Sequence, residues 1–404
     1  MFDIIKFLAK QNLALRGHIE NDTSTNRGNF LELVHLIAKY DPVLREHLVR
    51  SKMCGKISIP YMSPQIQNEF IAILGNNVRQ HIIGQIKKAK YYSIIFDSTP
   101  DLSHKDQTSQ VLRYVVIENE EVNVVESFID FIETKDKTAE GISNMILNKL
   151  QTDDLDISNC RGQAYDNAAV MAGKHSGVQQ RIKNPKVEFV PCSNHSLNLV
   201  CLHAASVEGL DLRLCAQKVN ALQIILIEKR EEWADCAVSY AKNMCEELGI
   251  SIEPRRIRRK HIFDDGSRDA DLSCENKLRR KLFSSLDRII VEIRERFQQL
   301  QKLTDKFAYL SPAILLDPDD TKCNLDYASV EIDEQDFMLE RHRLRTFVAA
   351  TGNENKLINA DSLELLKFIV KSKLEDALPN ILIMLRIFFT VAISNASCER
   401  RLVL

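Results

Sequence analysis

Two short segments carry residue types suited to metal-assisted chemistry. Ser93-Ile94-Ile95-Phe96-Asp97-Ser98-Thr99 and Arg161-Gly162-Gln163-Ala164-Tyr165-Asp166-Asn167 each bring an aspartate to the edge of an apolar or extended stretch. Strand ends project side chains into clefts, and two carboxylates converging there can hold divalent cations. A third acid, Glu399, lies near the end of the 404-residue sequence. Two aspartates and a distant glutamate are the raw material of a two-metal phosphoryl-transfer site, where the cations stabilise in-line attack on phosphorus. Each acid also has an ordinary structural reading. Asp97 would cap a turn with Ser98 and Thr99, Asp166 would form an Asx-turn ahead of Ala168-Ala169, and Glu399 would be a solvated partner of Arg400 and Arg401.

Two further groups invite a chemical reading. Cys192 and His195, with Cys201 and His203 nearby, have the donor types of a zinc site. A Cys-x-x-His pair supplies only half of a tetrahedron. Cys201 and His203 are two positions apart, so on a helix they point about 200° from each other. The structural reading is favoured: His195 bonded near a helix start, Cys192 buried, and no zinc. The run Pro254-Arg255-Arg256-Ile257-Arg258-Arg259-Lys260 offers Arg255, Arg256, Arg258, Arg259 and Lys260 as phosphate contacts or as a nuclear import signal. Its bland alternative is a solvated linker.

The elements that must position these groups follow from periodicity. Residues 1–85 read as helical. Phe30, Leu33, Val34 and Ile37 share one helical face, and Asp41-Pro42 interrupts that helix because proline lacks the amide donor. Leu44, Leu48 and Val49 continue in a short helix. Ile66, Phe70, Ile73, Leu74, Val78 and Ile82 continue the pattern in a longer one. The pattern then becomes β-rich: Tyr92–Phe96, Thr108–Ile117 and Val122–Ile132 read as an antiparallel meander, with Glu118-Asn119-Glu120-Glu121 as a polar turn. Thr138 caps a helix with Ile142, Met145, Ile146 and Leu150 on one face. A fourth strand leads to Tyr165, a helix spans Lys174–Ile182, a fifth strand spans Val187–Val190, and a helix spans Leu197–Ala205. The order β-β-β-α-β-α-β is that of a ribonuclease H-like fold, a mixed α/β sheet flanked by helices.

From about residue 207 the chain reads as helical again. Leu282, Leu286, Ile289, Ile293, Phe297, Leu300 and Leu303 form a long stripe. Residues 316–335 are acidic and loop-like. Two apolar helical patterns follow within 360–404, with Pro379 opening the second. The expected organisation is therefore a helical region at 1–85 and the first part of the core at 86–206. A reduced helical insertion with a basic linker occupies 207–345, and a return to the core ends the chain at 346–404.

Composition narrows the function classes. The net charge is −2 and aromatics make up 7% of residues, with one tryptophan. No global field draws the chain to nucleic acid, so such contact must come from local patches. The start lacks the long apolar stretch of a signal peptide. The most apolar stretch, Ile381–Ile393, is interrupted by Arg386 and is too short to span a bilayer. No membrane role is expected, and the ten scattered cysteines read as buried thiols of a reducing compartment.

Several segments resemble the hAT superfamily of transposases, in the domesticated branch with MYM-type zinc-finger members. They are Ile95-Phe96-Asp97-Ser98-Thr99-Pro100-Asp101 with Gln107 and Arg113-Tyr114-Val115, and the run Cys160–Met171 around Arg161-Gly162-Gln163-Ala164-Tyr165-Asp166-Asn167. Pro191-Cys192-Ser193-Asn194-His195-Ser196-Leu197-Asn198-Leu199 and the run Thr390–Arg400 complete the set, with Leu8–His18 resembling the branch's opening segment. The resemblance implies a ribonuclease H-like core split by a helical insertion, and a C-terminal segment that dimerises. It implies Asp97, Asp166 and Glu399 as the three acids, binding Mg²⁺ or Mn²⁺, with Cys192 and His195 as the family's Cys-x-x-His signature. It also implies DNA as a partner and a nuclear location. Three departures stand out: no zinc-finger module precedes the core, the insertion is short, and the dimerisation segment is clipped. They point to a domesticated or decayed element, inactive in transposition, acting by nucleic-acid or protein binding. The alternative is an active Mg²⁺-dependent DNA transposase or nuclease.

Overall fold

The computed structural model describes residues 1–17, 24, 26–53, 61–100, 106–165, 168–173, 175–182, 187–191, 212–249, 274–318 and 332–392. Its contacts divide the chain into two units, Met1–Gln85 and Ile86–Leu404.

The first unit is built from α1 (Phe2–Lys10), α2 (Asn29–Ile37) and α3 (Pro42–Met53), followed by α4 (Pro64–Ala89). Ile4, Ile5 and Leu8 of α1 meet Phe30, Leu31 and Val34 of α2, with Ala38 and Leu48 completing the core. The buried face of α2 is therefore rotated from the expected one. Leu31 and Ala38 are buried, while Ile37 is 39% exposed. Periodicity finds a stripe but not the side from which the neighbouring helices approach. Val49, Ile73 and Val78, expected on buried faces, are exposed for the same reason. α2 ends at Ile37, and Asp41 starts the next helix, since its Oδ1 accepts from the amides of Val43 (2.8 Å) and Leu44 (3.2 Å).

The second unit holds a five-stranded sheet ordered β3-β2-β1-β4-β5. Its strands are β1 (Tyr92–Pro100), β2 (Asp106–Glu118), β3 (Glu121–Glu133), β4 (Cys160–Tyr165) and β5 (Glu188–Pro191). β2 is antiparallel to β1 and β3, whereas β4 is parallel to both β1 and β5. The β2–β3 turn places Asn119 and Glu120 at positive φ (53° and 65°), which matches the right-handed strand twist. Between β3 and β4 lies α5 (Ala139–Thr152), whose first turn is capped by Thr138 Oγ1 accepting from Gly141 N at 3.1 Å. After β4 come two single turns, α6 (Ala169–Ala172) and α7 (Val178–Arg181). Of the helix expected over Lys174–Ile182, the described residues form the single turn Val178–Arg181, with Gly177 as its N-cap.

The helical layer comprises α8 (Leu212–Glu228), α9 (Arg230–Glu247), α10 (Cys274–Lys306), α11 (Pro312–Leu315), α12 (Glu334–Ala350), α13 (Glu354–Ile358), α14 (Ser362–Lys371) and α15 (Pro379–Thr390). The long stripe of α10 is buried at Ile293, Phe297 and Leu303, joined by Ile290. These side chains share one core with α12, α14, α15 and the sheet residues Val115, Val122 and Val190. Phe307–Phe388 (5.5 Å) and Tyr309–Phe337 (5.7 Å, near perpendicular) are aromatic contacts within it. Proline at the first turn of α15 lacks the amide that would lack a helical partner there anyway.

Candidate functional site

Of the three acids singled out above, Asp97 lies among the described residues. Asp166 and Glu399 lie outside them, as do Cys192, His195, Arg255, Arg256, Arg258, Arg259 and Lys260. Among the described residues no three His, Cys, Asp or Glu side chains converge as a metal site. Asp97 does not end its strand. β1 continues to Pro100, and Asp97, Ser98 and Thr99 pair with Ser109, Thr108 and Gln107 of β2. This overturns the turn-cap reading; Asp97 is 9% exposed. Its main-chain oxygen accepts from Ser109 Oγ at 3.3 Å. The β2–β3 register slips between Gln110 and Val111, immediately beside Ser109. Such irregularities bend a strand and re-aim its side chains.

Side chains alternate across a strand, so Ser93, Ile95 and Asp97 share one face of β1. Ile95 packs there with Val111 and Ala164, and the residue that covers them is Ala392, just beyond α15. At Gly162 of β4 an added Cβ would overlap Ser93 Oγ and lie 3.6 Å from Val391 Cα. Glycine lets the strand, its neighbour and the end of α15 come together. Gly162→Ala is expected to destabilise the fold by about 1–3 kcal/mol through overpacking. The Ser93→Ala/Gly162→Ala double variant should recover part of that loss in thermal unfolding. No recovery would mean that the crowding lies elsewhere.

Buried charges hold α15 at both ends. Glu340 of α12, 2% exposed, accepts at Oε1 from Asn380 N (3.0 Å) and Nδ2 (2.7 Å), and at Oε2 from Ile381 N (2.9 Å). A carboxylate on the amides of a helix N-terminus satisfies orphan donors and faces the positive end of the dipole. At the other end Arg113 of β2 donates from Nε to Phe389 O at 2.8 Å and pairs through Nη1 with Glu126 at 2.7 Å. A cation thus meets the negative end of the same helix. Next to Glu340, the fully buried Arg341 donates to Leu315 O (3.0 Å) and Asp317 O (3.0 Å) and to Ile314 O, covering the carbonyl end of α11. Tyr91 lies under two guanidiniums, Arg161 at 4.7 Å and Arg386 at 5.8 Å from its ring centre. Sequence reading missed Glu340 and Arg341. Two adjacent opposite charges in a charged helix look like solvent-facing residues, and no local spacing distinguishes them.

The cysteines are not uniformly buried. Cys160 is enclosed, and burial pushes its thiol up to about 12, which makes it a poor nucleophile. Cys236 is exposed and Cys245 half-buried. No described helix is long and apolar enough to cross a membrane.

The strand order, the parallel β1–β4 pair and the helix returning onto them define a ribonuclease-like mixed α/β domain. Residues 1–177 match the family model described as ZMYM1/FAM200, RNase-like domain (DUF4371). The chain is also similar to the protein named "52 kDa repressor of the inhibitor of the protein kinase". It is 25% identical to the Homo sapiens protein over 227 residues and 24% identical to that of Mus musculus over 229. Each match covers 53% of this chain and 28% of the relative's length. These similarities support a transposase-derived protein.

Proposed function

We propose that this chain is a transposase-derived protein that no longer transposes and acts by binding protein or nucleic acid in the nucleus. The observation that carries this reading is an apolar face left open on its helices. Trp233 (39% exposed), Tyr240 (68%) and Met244 (39%) follow one side of α9, about a third of a turn from the buried Ala234 and Val238. On α8, Ile224, Ile225 and Ile227 are exposed as well. Exposed apolar side chains grouped on a helix face are typical of interaction sites. The relatives' name, which describes a repressor, agrees with a regulatory role. DNA contact through Arg255, Arg256, Arg258, Arg259 and Lys260, and self-association through the C-terminal segment, belong to the same reading.

The second reading is an active DNA transposase or nuclease using Mg²⁺ or Mn²⁺ with Asp97, Asp166 and Glu399. One observation favours it. Ile95 pairs with Ala164 across the parallel β1–β4 ladder, and Asp97 and Asp166 each follow two residues later in the chain. Carboxylate oxygens suit either cation, which would supply charge neutralisation at a phosphoryl group. The two readings separate in one experiment. Purified chain is incubated with duplex DNA and Mn²⁺, and strand cleavage and joining are measured beside calorimetric titration of the metal. The binding reading expects no cleavage and the same result for Asp97→Asn. Cleavage abolished by Asp97→Asn, with loss of saturable Mn²⁺ binding, would establish the enzyme.

A further inference from the structure

In the first unit a cavity of about 280 Å³ opens between the last turn of α2 and α3. It is lined by His35, Ala38, Lys39, Arg45, Leu48 and Val49, with no carboxylate among them. Its construction follows from the Asp41-Pro42 break. Arg45 reaches back across the break to donate from Nε to Ala38 O at 2.9 Å, and from Nη2 to Lys39 O. This covers the carbonyl end of α2 and fixes a guanidinium at the corner. Arg27, itself held by Glu32 at 3.2 Å, donates from Nη1 to His35 Nε2 at 3.1 Å. An arginine only donates, so His35 accepts at Nε2. Lys39 and Arg45 bring cationic side chains to the cavity. Val49, which lines it, is 46% exposed, and at the junction of the two helices Tyr40 and Val43 are 83% and 75% exposed. Exposed apolar side chains of this kind mark a contact surface.

We propose that this groove docks an acidic, aliphatic peptide segment of a partner protein. An aliphatic side chain would rest on Ala38, Leu48 and Val49, and a neighbouring carboxylate would meet Lys39 and Arg45. Charge complementarity selects the acidic partner, and the half-apolar lining selects a peptide over a phosphate backbone. Nucleic acid draws its affinity from many cations acting together. Here two are present, beside the negative end of the α2 dipole. The volume is at the lower end for ligand pockets, enough for one side chain and its acidic neighbour. This rests on the binding reading above and names the partner's chemistry.

The test is fluorescence anisotropy on the full chain with three labelled probes: a panel of alternating Leu/Glu peptides, the same panel with lysine for glutamate, and a duplex DNA. Saturable binding of a Leu/Glu peptide is expected, together with none of the lysine series. Lys39→Glu and Val49→Asp, both at exposed positions, should each weaken it about tenfold, the scale of one lost charged or apolar contact. Unchanged far-ultraviolet circular dichroism would show that the variants fold. No binding by any Leu/Glu peptide, or equal binding by the variants, would overturn the proposal. DNA binding lost in Lys39→Glu would overturn it in favour of nucleic acid. None of these results depends on strand cleavage, so this proposal and the non-enzymatic reading fail separately.

Discussion

Replacing Arg341 with alanine is expected to lower the stability of the second unit by about 4 kcal/mol, within the range for a large buried truncation that strands polar groups. The guanidinium is fully buried and serves the main-chain oxygens of Ile314, Leu315 and Asp317. Alanine would take this donor from three acceptors, of which Asp317 O keeps Arg345 Nη1 at 3.0 Å and Ile314 O keeps the Asp317 amide at 3.3 Å, and would leave a void the size of the lost side chain. Lysine keeps the charge but cannot fork toward several carbonyls, so Arg341→Lys should fall between the two. Urea unfolding followed by circular dichroism reads this as a lower midpoint. A loss below about 1 kcal/mol for alanine would show that water replaces the guanidinium without cost.

The second large effect is expected at Glu340. Its carboxylate accepts from two backbone amides and one side-chain amide at the start of α15. Glu340→Ala is expected to cost about 3 kcal/mol, since charged hydrogen bonds are lost and buried donors are left unpaired. Glu340→Gln should cost less, because one oxygen still accepts, but it loses the charge that faces the helix dipole. Hydrogen exchange adds a local readout. Amide exchange at Ile381 should accelerate in both variants while the β2–β3 ladder stays protected. If both amide groups exchange as in the parent chain, Glu340 does not hold the helix. The consequence reaches the site. The same helix ends against Ile95 and Ala164 through Ala392, so freeing its start loosens the cover over the Asp97 strand.

Much of the architecture was legible from local patterns. The β-rich runs at 108–117 and 122–132, the polar turn between them and the Thr138 cap all describe interactions within a few residues, which local sequence dictates. The stripe on α10 and the proline opening α15 were legible for the same reason. The Asp97 segment was recognisable as a motif, but its setting was not. Strand β1 extends through it because β2 supplies Ser109, Thr108 and Gln107 as partners, and that pairing is a long-range event. The rotated face of α2 likewise depends on where α1 and α3 pack, which no periodicity contains.

What the amino-acid order alone determined was the sequence of elements and the residue types able to do chemistry. What tertiary structure decided was which charges leave water. Glu340 and Arg341 are adjacent in an ordinary charged helix, yet each is buried because a distant helix end offers it amides or carbonyls. A side chain's charge is a property of the residue. Its partner is a property of the fold, because burying a charge is tolerable only where groups from elsewhere in the chain replace its water.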